Sequence, residues 1–406
     1  MLMRRWFASS TALLLASGGC RSREMPSDGS AGAPALSATA APSGSARPMS
    51  GLPITLLKPE IVKFPLGDAF GARLGPRGWM STKPGTAKDA YDLVFAPATD
   101  GGAPRTLRAP RPGQPHFVTT RTKAFVWYEE HDELAPQVFS LDSARAKLVE
   151  AAVPGEWAFD LKDGRTLLVG TRGGKMMIAS RWHVSALGPD GPRVVSSTTT
   201  NESAWGAAAL GDGFVIAVRE PVAMAGATLE EKVSALQGVL RGDGDAMEAL
   251  SEPARAALVY LDKDGRVTRR EALGPQRPAG LATTDRGWLV VLCEGTLRRG
   301  FRDAVLIGRG PSESVFRVLA SDLETPTGLL QHGSWSCLTE LPSKDRGETY
   351  VVHCVDPERG IHVATPPIEG IVSINDIELG ETRQVWISRH RYHGEPQDEV
   401  LTMTLP

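Results

Sequence analysis

A strand pattern that recurs about every 40–50 residues constrains the fold of this chain more than any other feature. In each copy a tight turn is followed by a residue, usually aromatic, that opens an apolar or β-branched run. The opening residues are Trp79, Phe125, Leu167, Phe214, Trp288, Trp335 and Val385, with spacings of 46, 42, 47, 74, 47 and 50 residues. The long spacing encloses residues 221–254, whose pattern differs from the rest. Without that segment the spacings are similar, which predicts seven units.

A repeat of about 40–50 residues with about four strands is typical of β-propeller blades. On this spacing, residues 53–406 resemble a β-propeller, and the predicted fold class is all-β, a seven-bladed β-propeller. The 43 glycines and 30 prolines among 406 residues suit an all-β chain with many turns. A propeller can exceed the usual size of one hydrophobic core because each blade packs on its neighbours.

The two ends of the repeat region predict how the ring closes. Residues 53–63 have the pattern of a lone strand, whereas the last unit, residues 371–405, has three strands. Joined ends remove two unpaired sheet edges. We therefore expect the N-terminal strand to close the propeller as the outer strand of the last blade.

The segment 221–254 has a helical period. Residues Thr228–Glu231 form a capping box, and Val233, Leu236 and Leu240 fall on one helix face. This predicts a helical insertion between the second and third strands of blade four, projecting from one face of the ring. Insertions of this kind often carry binding contacts, so we expect segment 221–254 to contact another envelope protein.

The N-terminus has the pattern of an export signal. Residues 1–19 combine Arg4 and Arg5 with a short apolar core and a small-residue exit, and Cys20 follows directly. This arrangement resembles a bacterial lipoprotein signal peptide, which implies lipid on Cys20 and a membrane anchor; an ordinary secretory signal is the alternative. Residues 20–52, rich in Ala, Ser, Gly and Pro, are predicted to be a disordered tether.

The whole chain resembles a propeller lipoprotein of a GC-rich Gram-negative bacterium. By this resemblance Arg21, which follows the lipidated cysteine, favours the outer membrane over inner-membrane retention. The expected location is the cell envelope, lipid-anchored, on the periplasmic or surface side of the outer membrane.

Three cysteines follow Cys20, in a compartment that is expected to be oxidising. Cys337 and Cys354 are symmetric about the loop 344–347, so in an antiparallel hairpin they lie opposite each other. This predicts a disulfide. Two free thiols, or a bond from Cys293 to either partner, are the alternatives.

Acidic residues recur where one unit leads into the next. They are Asp68, Glu156, Glu202, Glu324 and Glu369. In a propeller such loops converge at one mouth of the central channel, where carboxylates can bind Ca²⁺ or a polar ligand. The alternative is that these residues lie in separate solvent-exposed loops and never meet. His390 and His393 have a spacing that zinc sites use, but a solvated hairpin loop explains them equally.

The net charge and the absence of known catalytic motifs restrict the function. A net charge of −2 gives no electrostatic basis for binding nucleic acid. The chain has no nucleophile elbow, phosphate-binding glycine loop or metalloprotease helix motif. Two hypotheses remain: a membrane-tethered, non-catalytic binding or assembly module, and a metal-assisted hydrolase or lyase with its site at the channel mouth.

Overall fold

The structure is a computed structural model. It describes residues 51–62, 70–75, 78–85, 91–97, 104–107, 114–120, 124–129, 137–142, 147–151, 156–172, 181–188, 191–221, 253–274, 276–294, 304–342, 349–379, 384–391 and 397–406.

Thirty strands are numbered in chain order among these residues, beginning with two short ones, β1 (Ile54–Leu56) and β2 (Glu60–Val62). Sheet 1 contains β3 (Phe70–Gly75), β4 (Gly78–Pro84), β5 (Tyr91–Pro97) and β6 (Arg105–Leu107). Sheet 2 contains β7 (Gln114–Thr119), β8 (Ala124–Glu129), β9 (Gln137–Asp142) and β10 (Lys147–Ala151). Sheet 3 contains β11 (Trp157–Asp160), β12 (Thr166–Arg172), β13 (Arg181–Gly188) and β14 (Gly191–Ser197). Sheet 4 contains β15 (Ser203–Leu210), β16 (Gly213–Pro221), β17 (Pro253–Leu261) and β18 (Val267–Ala272).

Sheet 5 contains β19 (Arg277–Thr283), β20 (Leu289–Glu294), β21 (Ala304–Arg309) and β22 (Arg317–Leu323). Sheet 6 contains β23 (Thr327–His332), β24 (Trp335–Glu340), β25 (Thr349–Asp356) and β26 (Ile361–Ala364), together with β1 and β27 (Ile368–Glu369). Sheet 7 contains β28 (Ile371–Leu379), β29 (Gln384–Arg391) and β30 (Gln397–Thr404), with β2 at its edge.

The repeat read from the sequence corresponds to the second strand of each sheet. Six of the seven opening residues lie in β4, β8, β12, β16, β24 and β29, and the seventh, Trp288, directly precedes β20. Phe125, Leu167, Phe214 and Val385 are almost fully buried. The tight turn precedes the second strand. The opening residue, as seen for Phe125, Leu167 and Phe214, then packs its side chain between neighbouring sheets.

The sheets pack side by side in chain order, as in a propeller. The first strands of neighbouring sheets are in contact: β15 contacts β19, and β19 contacts β23. The last sheet contacts the first through β28 and β3. Glycine permits the close approach: a Cβ on Gly206 would lie 2.6 Å from the Cβ of Leu281, and one on Gly280 would lie 3.0 Å from the Cβ of Leu329. These two contacts join β15 to β19 and β19 to β23.

The predicted all-β propeller arrangement is confirmed, with a departure from the predicted seven equal blades. The described strands form six four-stranded sheets and one six-stranded sheet rather than seven four-stranded blades. The odd one is sheet 6, which gains β1 by parallel pairing with β26 and β27 by pairing with β25. The N-terminal chain therefore contributes to two sheets instead of one.

The N-terminal segment 51–62, which we call the strap, crosses three sheets. The amide of Leu52 donates to the carbonyl of Leu319 on β22 at 3.0 Å, β1 pairs with β26, and β2 pairs antiparallel with β30. The β2–β30 pairing is the expected closure on the last sheet. The expected single strand over 54–63 is instead broken at residues 57–59, where Pro59 has no amide hydrogen to donate.

The helical insertion finds no support in the structure. The described residues contain no helix, and residues 222–252, where the helix was predicted, lie outside them. Likewise, within the described ranges no helical segment has the length and hydropathy needed to span a membrane. Residues 1–50, with the predicted signal peptide, Cys20 and most of the predicted tether, also lie outside the described part of the chain, whereas tether residues 51 and 52 belong to the strap.

The predicted disulfide is confirmed. Cys337 on β24 and Cys354 on β25 are register partners, their Cα atoms lie 4.1 Å apart, and their sulfur atoms are bonded. Cys293 is a buried free thiol on β20, which excludes the alternative pairings. Burial raises the pKa of the Cys293 thiol to about 12, with a smaller contribution from the charge of Glu294.

Candidate functional site

The face at which first strands begin and second strands end carries most of the buried charge described below. We call it the upper face. Among its first-strand starts are Trp157, Ser203, Arg277 and Thr327, and among its second-strand ends are Arg172, Pro221, Glu294 and Glu340. Connections between successive sheets reach this face, and so do the connections between second and third strands. Of the predicted acidic residues, Glu156, Glu202 and Glu324 lie in described connections between successive sheets.

Glu202 holds sheets 3 and 4 together. Its carboxylate accepts a hydrogen bond from the indole nitrogen of Trp182 at 3.2 Å and forms a bidentate ion pair with Arg270 on β18. The Glu202 side chain is only 5% exposed. The structure therefore places Glu202 between two sheets, with its carboxylate occupied by protein partners.

The other predicted acidic residues occupy different settings. The amide of Glu324 donates to Oε1 of Glu340 at 2.7 Å, and the amide of Glu156 donates to the carbonyl of Val169 at 2.8 Å. Glu369 is exposed and lies on β27, which pairs with the third strand of sheet 6. Asp68 lies outside the described residues. Ca²⁺ binding at this set of residues remains a prediction.

The group that sequence reasoning missed lies between sheets 4 and 5. We call Trp205, Arg219, Arg277 and Glu294 the arginine site. Nη1 of Arg219 donates to Oε2 of Glu294 at 2.9 Å, and Nη2 of Arg277 lies 3.4 Å from the same oxygen. The guanidinium of Arg219 lies over the Trp205 ring, 2.9 Å from its centroid. This stacking fixes the plane of the guanidinium group.

The arginine site is buried, with its carboxylate outermost. Both arginine side chains are 8% exposed, whereas Glu294 is 24% exposed. Burial lowers the pKa of Arg219 to about 10; the charge of Glu294 opposes this shift and the charge of Arg277 adds to it. Arg219 nevertheless stays charged at neutral pH. The site thus presents a desolvated cationic pair with a partly accessible anion at its edge.

A second buried polar chain runs across sheet 6 on the side facing sheet 5. Nε2 of His353 lies 2.7 Å from Oε2 of Glu340, and Nδ1 of His353 lies 3.1 Å from Nε2 of His362. The pKa of His362 is lowered to about 4, chiefly by burial and also by the neighbouring His353, against smaller opposing effects from the Leu52 backbone and Glu340. We call these three residues the His–Glu chain.

The remaining metal hypotheses gain no support from geometry. His393 lies outside the described residues, as does the side chain of His390. Across the described ranges, no three His, Cys, Asp or Glu side chains are placed to hold a metal ion together.

The arginine site was missed because its members are far apart in sequence. Arg219 and Glu294 are 75 residues apart, and no spacing rule connects them. The one available signal is positional: each lies at or near the upper end of a second strand, a position that the repeat itself identifies. A charged residue that ends an otherwise apolar second strand is buried by the next sheet and requires a partner.

Comparisons with known proteins support the fold alone. No protein-family model matches this chain, and no curated protein matches it. Among solved structures, the chain resembles the polysaccharide lyase Uly1, with 9% identity, a TM-score of 0.50, and coverage of 84% of this chain and 90% of that one. It also resembles the β-propeller domain of the Trilobed protease from Pyrococcus furiosus, described as having an open velcro topology. There the identity is 10%, the TM-score 0.50, and the coverage 84% of this chain and 94% of the other.

Proposed function

We propose that this chain is an envelope-tethered, non-catalytic binding or assembly module that binds its partner on the upper face. The fold itself allows both binding and catalysis, since the similar solved structures come from a lyase and a protease. The proposal therefore depends on how this particular chain is built around its upper face.

The observation that carries the proposal is the position of the insertion 222–252. Pro221 ends β16, Pro253 begins β17, and the two are register partners. The chain therefore leaves sheet 4 and returns to it at a single point of the upper face. Sheet 4 is complete without the insertion, because β16 and β17 pair from Phe214 and Leu261 up to Pro221 and Pro253. Segments that a fold does not need are where binding contacts are commonly carried.

The arginine site adds chemical support. Arg219 precedes the insertion by three positions, and its partner Glu294 ends β20, directly before residues 295–303. Buried, oriented guanidinium groups are common anchors in interfaces. The points at which the chain leaves and rejoins sheet 4, Pro221 and Pro253, therefore lie at the same end of the sheets as these arginine and glutamate side chains.

The proposal is tested by cross-linking in the cell envelope. In one variant, residues 222–252 are replaced by Asn-Gly, a two-residue turn that joins paired antiparallel strands. We expect this variant to fold and to lose a partner that the unmodified chain recovers reproducibly. The control is K162A/D212A, which removes an exposed ion pair between sheets 3 and 4 and should leave recovery unchanged. Full recovery with the shortened variant would contradict the proposal.

The alternative, a metal-assisted hydrolase or lyase, makes a different prediction. It requires stoichiometric Ca²⁺, Zn²⁺ or Mg²⁺ in the purified protein, with residues of the upper face as ligands. Elemental analysis after dialysis against metal-free buffer distinguishes the two proposals. A bound metal at one equivalent would favour the enzyme.

A further inference from the structure

The strap is held mainly by its backbone. Its contacts are the Leu52–Leu319 hydrogen bond, the β1–β26 and β2–β30 pairings, and a 2.8 Å hydrogen bond from the Leu57 amide to the carbonyl of Ala364. Its large apolar side chains mostly point to solvent: Ile54, Leu56 and Ile61 are 54%, 66% and 60% exposed. A segment with so little buried apolar area opens locally at a lower free energy than the sheets beneath it.

His362 lies directly beneath the strap. It is the register partner of Ile54 and is 2% exposed. Its Nε2 faces His353, and the Leu52 backbone of the strap hydrogen-bonds to the ring. The strap therefore contributes to the burial of this imidazole. Lifting β1 off β26 would let water reach the ring.

Two charged side chains and one backbone group act on the protonation of His362. On its own sheet they are His353 on β25 and, beyond it, Glu340 on β24; from the strap, the Leu52 backbone faces it. Burial is the largest effect and disfavours the protonated ring, and the charge of His353 acts in the same direction. Glu340 and the Leu52 backbone act in the opposite direction and are the smaller effects.

We propose that the strap is an acid-released latch, in which protonation of His362 favours the state with β1 detached from β26. At neutral pH the neutral ring of His362 is compatible with the closed strap. In acid, the open state takes up a proton on the hydrated ring, whereas the closed state does not. Opening exposes the edge of β26, and it loosens one of the described links between the N-terminal residues of the propeller and its last sheets.

The direction of the pH dependence of strap closure follows from proton linkage. The pKa of His362 is near 6.5 when the ring is hydrated and is lowered to about 4 under the strap. The open state therefore binds more protons between these values, and the stability of the closed strap falls as the pH drops from about 6.5 to about 4. Between pH 7.5 and pH 5.0 this linkage increases the opening constant by about 30-fold.

The latch is tested on the full-length protein by amide hydrogen exchange at pH 7.5 and pH 5.0, corrected for intrinsic exchange rates. We expect protection of residues 51–57 to fall by about 30-fold at pH 5.0, while β20 of sheet 5 keeps its protection. H362N should abolish the fall. H183Q is the matched control, because His183 is a buried histidine on sheet 3, away from the strap, and this variant should keep the fall.

A second variant covers the case in which H362N does not fold. In H353Q the amide can still hydrogen-bond to Glu340 and His362, but the charge that lowers the pKa of His362 is gone. The fall in protection should then be smaller than in the unmodified protein. Equal strap protection at both pH values in the unmodified protein would overturn the proposal, as would an undiminished fall in H362N.

Discussion

Cys337 and Cys354 are register partners on adjacent strands, and their disulfide closes a hairpin within sheet 6. Both residues pack in the cluster that joins sheet 6 to sheet 7, together with Val385 and Leu401. The disulfide therefore lies within the packing contact between sheets 6 and 7. Sheet 7 is also the sheet to which the strap adds β2.

Loss of this disulfide should destabilise the protein. Because the cysteines are 17 positions apart in sequence, we expect C337A/C354A to lower the free energy of unfolding by about 2–4 kcal/mol. Urea unfolding measures the change. C293A serves as the control for loss of a buried thiol, because Cys293 forms no disulfide. Equal unfolding midpoints for the double variant and the unmodified protein would contradict a stabilising role.

Gly206 should not tolerate a side chain. A Cβ there would meet both the amide nitrogen and the Cβ of Leu281 at 2.6 Å, so β15 and β19 would have to separate. We expect G206A to cost about 1–3 kcal/mol by overpacking. G164A provides the comparison: Gly164 has a φ of 84° and open space around it, so its cost is backbone strain alone, about 1 kcal/mol. Thermal unfolding that ranks G164A as the more damaging change would contradict this account.

The ion pairs of the arginine site should contribute more to the free energy of unfolding than exposed ion pairs do. E294Q leaves Arg219 and Arg277 without their shared carboxylate, and we expect it to cost about 1–3 kcal/mol, less than a fully buried pair because Glu294 is partly exposed. E358Q is the matched control, since its partner Arg286 is 68% exposed and such pairs contribute about 0–1 kcal/mol. Chemical denaturation of both variants gives the comparison. Similar costs would indicate that the arginine site is effectively solvated.

Removal of the strap should open the ring. A truncation that begins at Leu66 loses the pairing of β1 with β26 and of β2 with β30, which leaves two strand edges without partners. We expect this variant to melt at least several degrees lower and to aggregate. Light scattering and circular dichroism measure both effects. A truncated protein that melts like the full chain would show that the strap does not close the propeller.

The lipid anchor is the fifth prediction. C20S should move the protein from the membrane fraction to the soluble envelope fraction, because a serine cannot carry the thioether-linked lipid. The propeller should keep its melting temperature, since the predicted tether separates the anchor from residue 53. Fractionation followed by immunoblotting decides the point. Retention of the C20S variant in the membrane fraction would exclude lipidation at Cys20 as the anchor.

The positions of the hairpins could be predicted from the sequence. A glycine turn followed by an aromatic or β-branched run specifies where a second strand begins, because turn geometry and side-chain alternation act over a few residues. The same local logic located the disulfide: cysteines equidistant from a loop become register partners in the hairpin. The all-β propeller arrangement followed from the regular spacing of these local signals.

The side chains that meet between sheets could not be identified from the sequence, because their contacts depend on the packing of the whole fold. Glu202 was expected at a channel mouth, yet it pairs with Trp182 and Arg270, 20 and 68 residues away. The strap was expected on one sheet and instead crosses three, because Pro59 interrupts its pairing and its two halves find different edges. Such choices depend on how neighbouring sheets stack, and stacking is set by the summed packing of many residues, such as the close contact of Gly206 with Leu281. No local pattern records that sum, so the arginine site and the His–Glu chain emerged only with the assembled sheets.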